Sequence, residues 1–268
     1  MKEIIIHSWD ELQNSIFTDV YEPEIGRYRA DFIYRGVEVK DLDLLPKLNR
    51  ICKHNLELEK PIIRNFKKYG YTELNNPTSV WHIMSIGQHF GLPTRLLDWT
   101  YSPLVAAHFA TENTNLYDQD GAIYILDFHK LNEKQLPKKL LDILVQDNSK
   151  TFSMDMLEKA IPTLEDFENY QEEPFCLFFE PSSISDRIVN QYALFSTVSN
   201  PEILISEIIA KYPDLATKII IPAKVKLEIR DKLDYINISE RLLYPGLDGL
   251  CKWITRRYSD LKPKKNFK

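Results

Sequence analysis

GQHFGLPTRLLDWTYSPLVAAHFA, Gly87 to Ala110, crowds two histidines, a glutamine, an arginine and an aspartate with the hydroxyls of Thr94, Thr100 and Ser102 among Leu, Trp and Phe side chains. Polar groups this dense beside apolar ones mark either a ligand site or an internal lock. Two helices frame the stretch. The first has Asn76 to cap it, Pro77 in its first turn, Gly91 at the left-handed position past its end and Pro93 to forbid continuation. The second has Ser102 as N-cap and Pro103 at the first helical position. Leu92 to Tyr101 therefore reads as a short connection pinned between two helix ends, whose backbone must be packed or solvated deliberately.

Upstream, FIYRG, Phe32 to Gly36, is an apolar and aromatic strand that delivers an arginine beside a glycine. Ile4 to His7 reads as a short strand, and Ser8 followed by Glu11 has capping-box spacing for a helix through about Phe17. Lys47 to Tyr69 is helix-prone, with Pro61 starting or kinking a turn. The helix before Gly91 carries the stripe Val80, Ile83, Met84 and Gly87, with Trp81 and Gln88 on its flank. Downstream, GAIYILDF at Gly121 to Phe128 and FCLFF at Phe175 to Phe179 are strands. Between them lies a charged, peripheral helical excursion over 130–170. Asp186 to Asn190 forms a helical turn before a strand from Tyr192, and KIIIP at Lys218 to Pro222 is a further strand among C-terminal helices. Isolated strands mixed with helical excursions predict α+β: a mixed central sheet, surrounding helices and a helical C-terminal extension. The expected organisation is a core over 1–205 and an extension over 206–268 packed on it as one continuous domain.

Composition removes several classes of function. A net charge of −5 argues against non-specific phosphate binding, so nucleic acid is not indicated, and the basic tail Lys262 to Lys268 reads as a solvated, frayed end. Cys52, Cys176 and Cys251 have neither disulfide nor zinc spacing, and no metal is expected. No signal-peptide pattern or apolar run of about 18 residues occurs, which implies a cytoplasmic protein away from the membrane. None of the eight glycines falls in a Rossmann or P-loop pattern.

Tyr34, Arg35 and Gly36 carry the aromatic-Arg-Gly motif, followed by LLPKLNR at Leu44 to Arg50 and by the long Gln88 to Ala110 signature. DRIVNQYALF at Asp186 to Phe195 and NISERLLYPGLDGLCKWI at Asn237 to Ile254 complete the pattern. Together they resemble the FRG domain family over residues 25 to 254. Each polar group has two readings. Arg35, beside Gly36, either pairs with a carboxylate at the sheet rim or offers its guanidinium to a phosphate or carboxylate ligand. Gln88, Thr94, Arg95, Asp98, Trp99 and Thr100 either knit an internal network or form a pocket wall, with Ser102 opening a helix N-terminus that favours anions. His89 reads as a helix cap and His108 as a core histidine. Arg187 and Gln191, four residues apart, share a face whether the chain is helical or extended.

The order of an aromatic-Arg-Gly strand, a hydroxyl segment with a short helix and strand, and a later polar residue opening a strand is similar to the layout of arginine-serine-glutamate ADP-ribosyltransferases. The resemblance implies NAD as cofactor, with Arg35 on the dinucleotide phosphates, Thr100 and Ser102 in the hydroxyl place and Gln191 in the glutamate's place. Gln191 cannot carry the negative charge that place requires, and LDWTYS is not Ser-Thr-Ser; a carboxylate such as Glu180 or Glu112 would have to reach in. The catalytic candidates are thus Gln191, Glu180 and Thr100. The cofactor candidates are Arg35, Gly36, Gln88, Thr94, Arg95, Asp98, Trp99, Ser102 and Arg187. Three functions stand open. One is an ADP-ribosyltransferase-like or NAD-consuming enzyme acting on a nucleotide-like molecule and a macromolecular acceptor. The second is a catalytically silent nucleotide- or phosphate-binding module using Arg35, Arg95 and Arg187. The third is a protein-interaction scaffold. The sequence leaves the oligomeric state open.

Overall fold

The computed structural model describes residues 1–18, 20–29, 31–42, 44–74 and 79–259. The expected cap Asn76, with Pro77, and the tail Lys262 to Lys268 lie outside the described residues. The chain opens with β1 (Lys2–Ile5), α1 (Trp9–Ile16), the two-residue strands β2 (Tyr21–Glu22) and β3 (Arg27–Tyr28), and β4 (Phe32–Val37). Next come α2 (Lys47–Cys52), α3 (Glu59–Tyr69), α4 (Val80–His89), β5 (Leu97–Thr100), α5 (Pro103–Thr111) and β6 (Gly121–Asp127). The excursion comprises α6 (Phe128–Gln135), α7 (Lys138–Gln146), β7 (Phe152–Ser153), α8 (Met154–Ala160) and α9 (Leu164–Glu168). It is followed by β8 (Cys176–Glu180), α10 (Asp186–Asn190), β9 (Ala193–Val198), α11 (Ile205–Ala210), β10 (Ala216–Ile221), α12 (Ala223–Tyr235), α13 (Glu240–Leu243) and α14 (Leu247–Tyr258).

Eight of the strands form one sheet in the order β1-β10-β6-β4-β5-β9-β8-β7. It is mixed, parallel at β1/β10 and β7/β8 and antiparallel elsewhere, so the fold is α+β as the pattern of elements predicts. β10, from the segment read as a C-terminal extension, pairs with both β1 and β6 inside this sheet. The local signals at the helix ends are used as expected: Ser8 accepts from the Glu11 amide, Ser102 accepts from the Val105 amide with Pro103 at the first turn, and Gly91 has φ +85°. No helix among the described residues is long and apolar enough to cross a membrane.

The segment expected to be only a connection contains β5, in the middle of the sheet. Leu97 and Trp99 are buried on one face while Asp98 and Thr100 turn to the other, a period of two confined to four residues between Pro93 and Pro103. Such a run is too short for its alternation to stand out beside two well-capped helices.

Alternation along the strands sends side chains into three cores. On one face Ile33, Leu97, Trp99, Leu126, Phe178 and Leu194 join Leu131 of α6 and Ile208 of α11 in a single cluster. On the other face there are two. Tyr34, Ile123 and Ile219 pack beneath α1, α5 and α12, whereas Leu177, Phe179 and Phe195 pack beneath α4, α7, α8 and α9. The excursion read as peripheral closes this last core. Trp81, expected on a helix flank, is fully buried by it, donating Nε1 to the Ile161 carbonyl at 2.7 Å with its ring edge-on to Phe167 and Phe179.

The position of α5 is set by small residues. A Cβ on Gly36 would stand 1.9 Å from the Ala106 carbonyl oxygen, and one on Gly121 would stand 2.8 Å from that of Ala110. Ala106, Ala107 and Ala110 complete a smooth seat that lets the helix lie directly on β4 and β6.

Candidate functional site

β4 and β5 pair at one position, Tyr34 with Thr100, although β4 is in register with β6 along its whole length and β5 with β9 along all of its own. Beyond that pair the two strands part. Arg35 occupies the opening: its Nη1 donates to the Asp98 carbonyl oxygen at 2.5 Å, an acceptor that a continued ladder would have used, and stands 4.0 Å from Asp98 Oδ2. Its Nε is buried and has no hydrogen-bond partner among the described residues. An arginine that replaces a strand's hydrogen bond yet keeps donors unused is suited to a ligand as well as to the fold.

A cavity of about 300 Å³ lies at this opening. β4 contributes Arg35 and Gly36, with Glu38 just past its end; β5 contributes Asp98, Trp99 and Thr100; α4 contributes Gln88 and His89. Phe109 of α5 and Glu112 at its end close another side, as do Arg187 of α10, Gln191 at its end and Arg50 of α2. Eight sequence candidates therefore line one cavity: Arg35, Gly36, Gln88, Asp98, Trp99, Thr100, Arg187 and Gln191. Hydrogen bonds fix several of them. Gln88 donates to Asp98 Oδ2 at 2.8 Å, Trp99 Nε1 donates to Ser196 at 2.8 Å, and the Thr100 hydroxyl donates to the Gln191 carbonyl at 2.7 Å. The Gln191 amide donates to the Leu243 carbonyl at 3.0 Å, tying the cavity to α13. Arg187 stacks on the Tyr244 ring, 5.0 Å from its centroid.

Four candidates stand elsewhere, each for a visible reason. Thr94 is fully buried and donates to the Gln88 side-chain oxygen at 2.6 Å, so it braces the wall from behind. Arg95 faces away, where its Nε meets Glu59 at 2.5 Å and its Nη2 meets Glu168 at 2.6 Å. Ser102 is spent as the N-cap of α5. Glu180, at the end of β8, accepts from the Tyr101 hydroxyl at 2.8 Å. Of the two carboxylates named as substitutes for a missing glutamate, Glu112 is the one on the cavity wall.

Arg50, Glu38 and His89 were not foreseen as wall residues. Arg50 closes the LLPKLNR segment that already formed part of the family pattern, and Glu38 stands two residues past Gly36, which was the signal available for each. Electrostatics couple them to the expected set. Burial, reinforced by Arg50, lowers the Arg35 pKa, and Asp98 opposes the shift. Burial and then Glu112 raise the Glu38 carboxyl, while burial and Arg187 lower the His89 imidazole. Three guanidinium groups and two glutamates thus line one space.

Fold and cavity together define a class: an α+β domain whose central sheet parts to hold an arginine at an internal, charge-lined cavity. Residues 30–119 match the family model of the FRG domain. Within that match the aromatic-Arg-Gly motif, Tyr34 to Gly36, lies on β4. The match takes in β4, β5, α4 and α5 but ends before α10, so the wall that carries Arg187 and Gln191 lies outside it. No curated protein and no solved structure matches the chain.

Proposed function

We propose that the Arg35 cavity binds a nucleotide carrying a diphosphate, and that the domain is an ADP-ribosyltransferase-like or NAD-consuming enzyme. The observation that carries the reading is the position of Arg35 at the parting of β4 and β5, its Nε unpartnered, with Arg50 and Arg187 lining the same cavity. Converging guanidinium groups suit a diphosphate, because each presents a planar fork of donors to anionic oxygens. The three residues that the transferase layout brings forward, Arg35, Thr100 and Gln191, sit on or beside the adjacent strands β4, β5 and β9. In the reaction the bond from the ribose carbon to the pyridine nitrogen breaks, its electron pair stays on the departing nicotinamide, and water or an acceptor adds at the carbon with loss of a proton. This reading assigns to Glu112, a cavity-lining carboxylate, the positive charge that develops there.

A catalytically silent module is the second reading, favoured by Gln191 itself: its amide is uncharged and already engaged with the Leu243 carbonyl. Calorimetry with ADP-ribose, NAD and inorganic phosphate, paired with an assay for released nicotinamide, separates the readings. The expected result is binding of ADP-ribose and NAD together with slow nicotinamide release. Binding without release selects the module. Failure of ADP-ribose to bind overturns the proposal.

A further inference from the structure

Behind the cavity wall a buried chain of hydrogen bonds ends on Glu112. His108, on α5, is completely buried, with Nδ1 2.6 Å from Arg230 Nη1 and Nε2 3.1 Å from Glu112 Oε2. An arginine only donates, so Nδ1 has to accept; the ring is neutral, its proton sits on Nε2, and that proton is donated to Glu112. The Tyr244 hydroxyl donates to the same oxygen at 2.8 Å. Arg230 is fixed in turn by the Ile238 carbonyl at 2.5 Å and by Asp234 at 3.5 Å. Two donors on one oxygen hold the Glu112 side chain in a single orientation, and Oε1 has no partner among the described residues.

A second carboxylate, Glu38, lines the same cavity, close enough for Glu112 to act on it, with Asn113 hydrogen-bonded to its carboxyl and Lys226 near it. It stands three residues beyond Arg35, about 10 Å along the chain at the ~3.3 Å rise of a strand. Arg35 is thus set apart from Glu38 along the chain, while Arg187 stacks on the Tyr244 ring whose hydroxyl binds Glu112. Glu112, with its second oxygen open, favours a cation beside it, and Glu38 adds to that field where it is ionised.

We infer that Glu112, positioned by His108 and seconded by Glu38, selects nucleotides that carry a cationic ring as well as a diphosphate, so that NAD+ with its charged pyridinium is bound in preference to NADH with its neutral ring. The inference rests on the nucleotide-binding reading above and assigns the substrate class of that cavity. Glu112 touches the ligand; His108 acts through it.

The test is the ratio of the NADH and NAD+ dissociation constants by calorimetry, a ratio that cancels any general loss of binding, with ADP-ribose titrated alongside. The expected ratio in the unaltered protein is about tenfold or more, falling below about twofold in Glu112→Gln. His108→Gln offers a carbonyl to Arg230 and an amide to Glu112 and is expected to keep the preference; His108→Leu offers neither and is expected to lose it. This second pair decides the matter should Glu112→Gln fail to fold. Equal affinities for NAD+ and NADH in a protein that binds ADP-ribose overturn this inference alone, as does a preference that survives Glu112→Gln or His108→Leu. Failure to bind ADP-ribose overturns the parent reading and this one with it.

Discussion

Arg35 and Arg95 come from the two motifs that drew attention to the cavity, and the fold uses them in opposite ways. Arg95 is 4% exposed and its partner Glu59 is 1% exposed; backbone amide and guanidinium of the arginine both bind that carboxylate, at 3.0 and 2.5 Å, and Glu168 takes a further donor. Arg35 is 20% exposed, spends one donor on a backbone carbonyl, and faces an Asp98 side chain that is itself 57% exposed. One arginine is locked between α3, α9 and the approach to β5, with Nη1 alone left without a partner; the other stands at the opening between β4 and β5 and makes a single hydrogen bond, to a backbone carbonyl. A guanidinium in a polar motif is thus no evidence of a ligand by itself, and what distinguishes the two is the carboxylate each meets.

The contrast is broken most severely by removing Arg95. Arg95→Ala leaves Glu59 as a buried charge without its partner, and the expected cost is about 3–5 kcal/mol in denaturant unfolding. Burial already pushes the Glu59 carboxyl upward against the pull of Arg95, so the loss of that pull is felt directly. Unfolding within about 1 kcal/mol of the unaltered protein would place Arg95 among the weakly coupled surface charges instead.

A smaller effect sharpens the account of the second buried network, the one that ends on the cavity. Burial, aided by Arg230, lowers the His108 pKa below its ordinary 6.5. As pH falls below 6.5 the unfolded chain takes up a proton that folded His108 refuses, so stability is retained above that value and lost beneath it. His89 acts with the same sign, whereas the raised carboxyls of Glu38 and Glu59 act with the opposite one at lower pH. The comparison of His108→Gln with the unaltered protein isolates the histidine: Tm is expected to fall less between pH 7.5 and 5.5 in the variant. Identical falls would mean that His108 is protonated in the fold and that the proton assignment toward Glu112 is incorrect.

Much of the frame was legible because local signals are strong where the backbone is most constrained. Ser8, Ser102 with Pro103, and Gly91 mark helix ends through their own geometry, and FIYRG and GAIYILDF announce strands by composition. β5 was hidden because four residues between two prolines carry too little periodicity, and the site was half hidden with it, since the cavity exists only where β5 parts from β4. Trp81 looked like a flank residue because the helices that bury it arrive from 138–168, a contact no local pattern foretells. Arg95 and Glu180 were indistinguishable in sequence from Arg35 and Glu112; the partners Glu59 and Tyr101, which commit them elsewhere, lie 36 and 79 residues away.

The central claim is that Arg35 serves a ligand while Arg95 serves the fold. Titration of ADP-ribose into Arg35→Ala, followed by thermal unfolding of the same sample, tests it most directly. Loss of a charged hydrogen-bonding group worth about 2 kcal/mol predicts roughly thirtyfold weaker binding, with a Tm close to that of the unaltered protein. Undiminished affinity in Arg35→Ala, or a protein that no longer folds, would contradict the account.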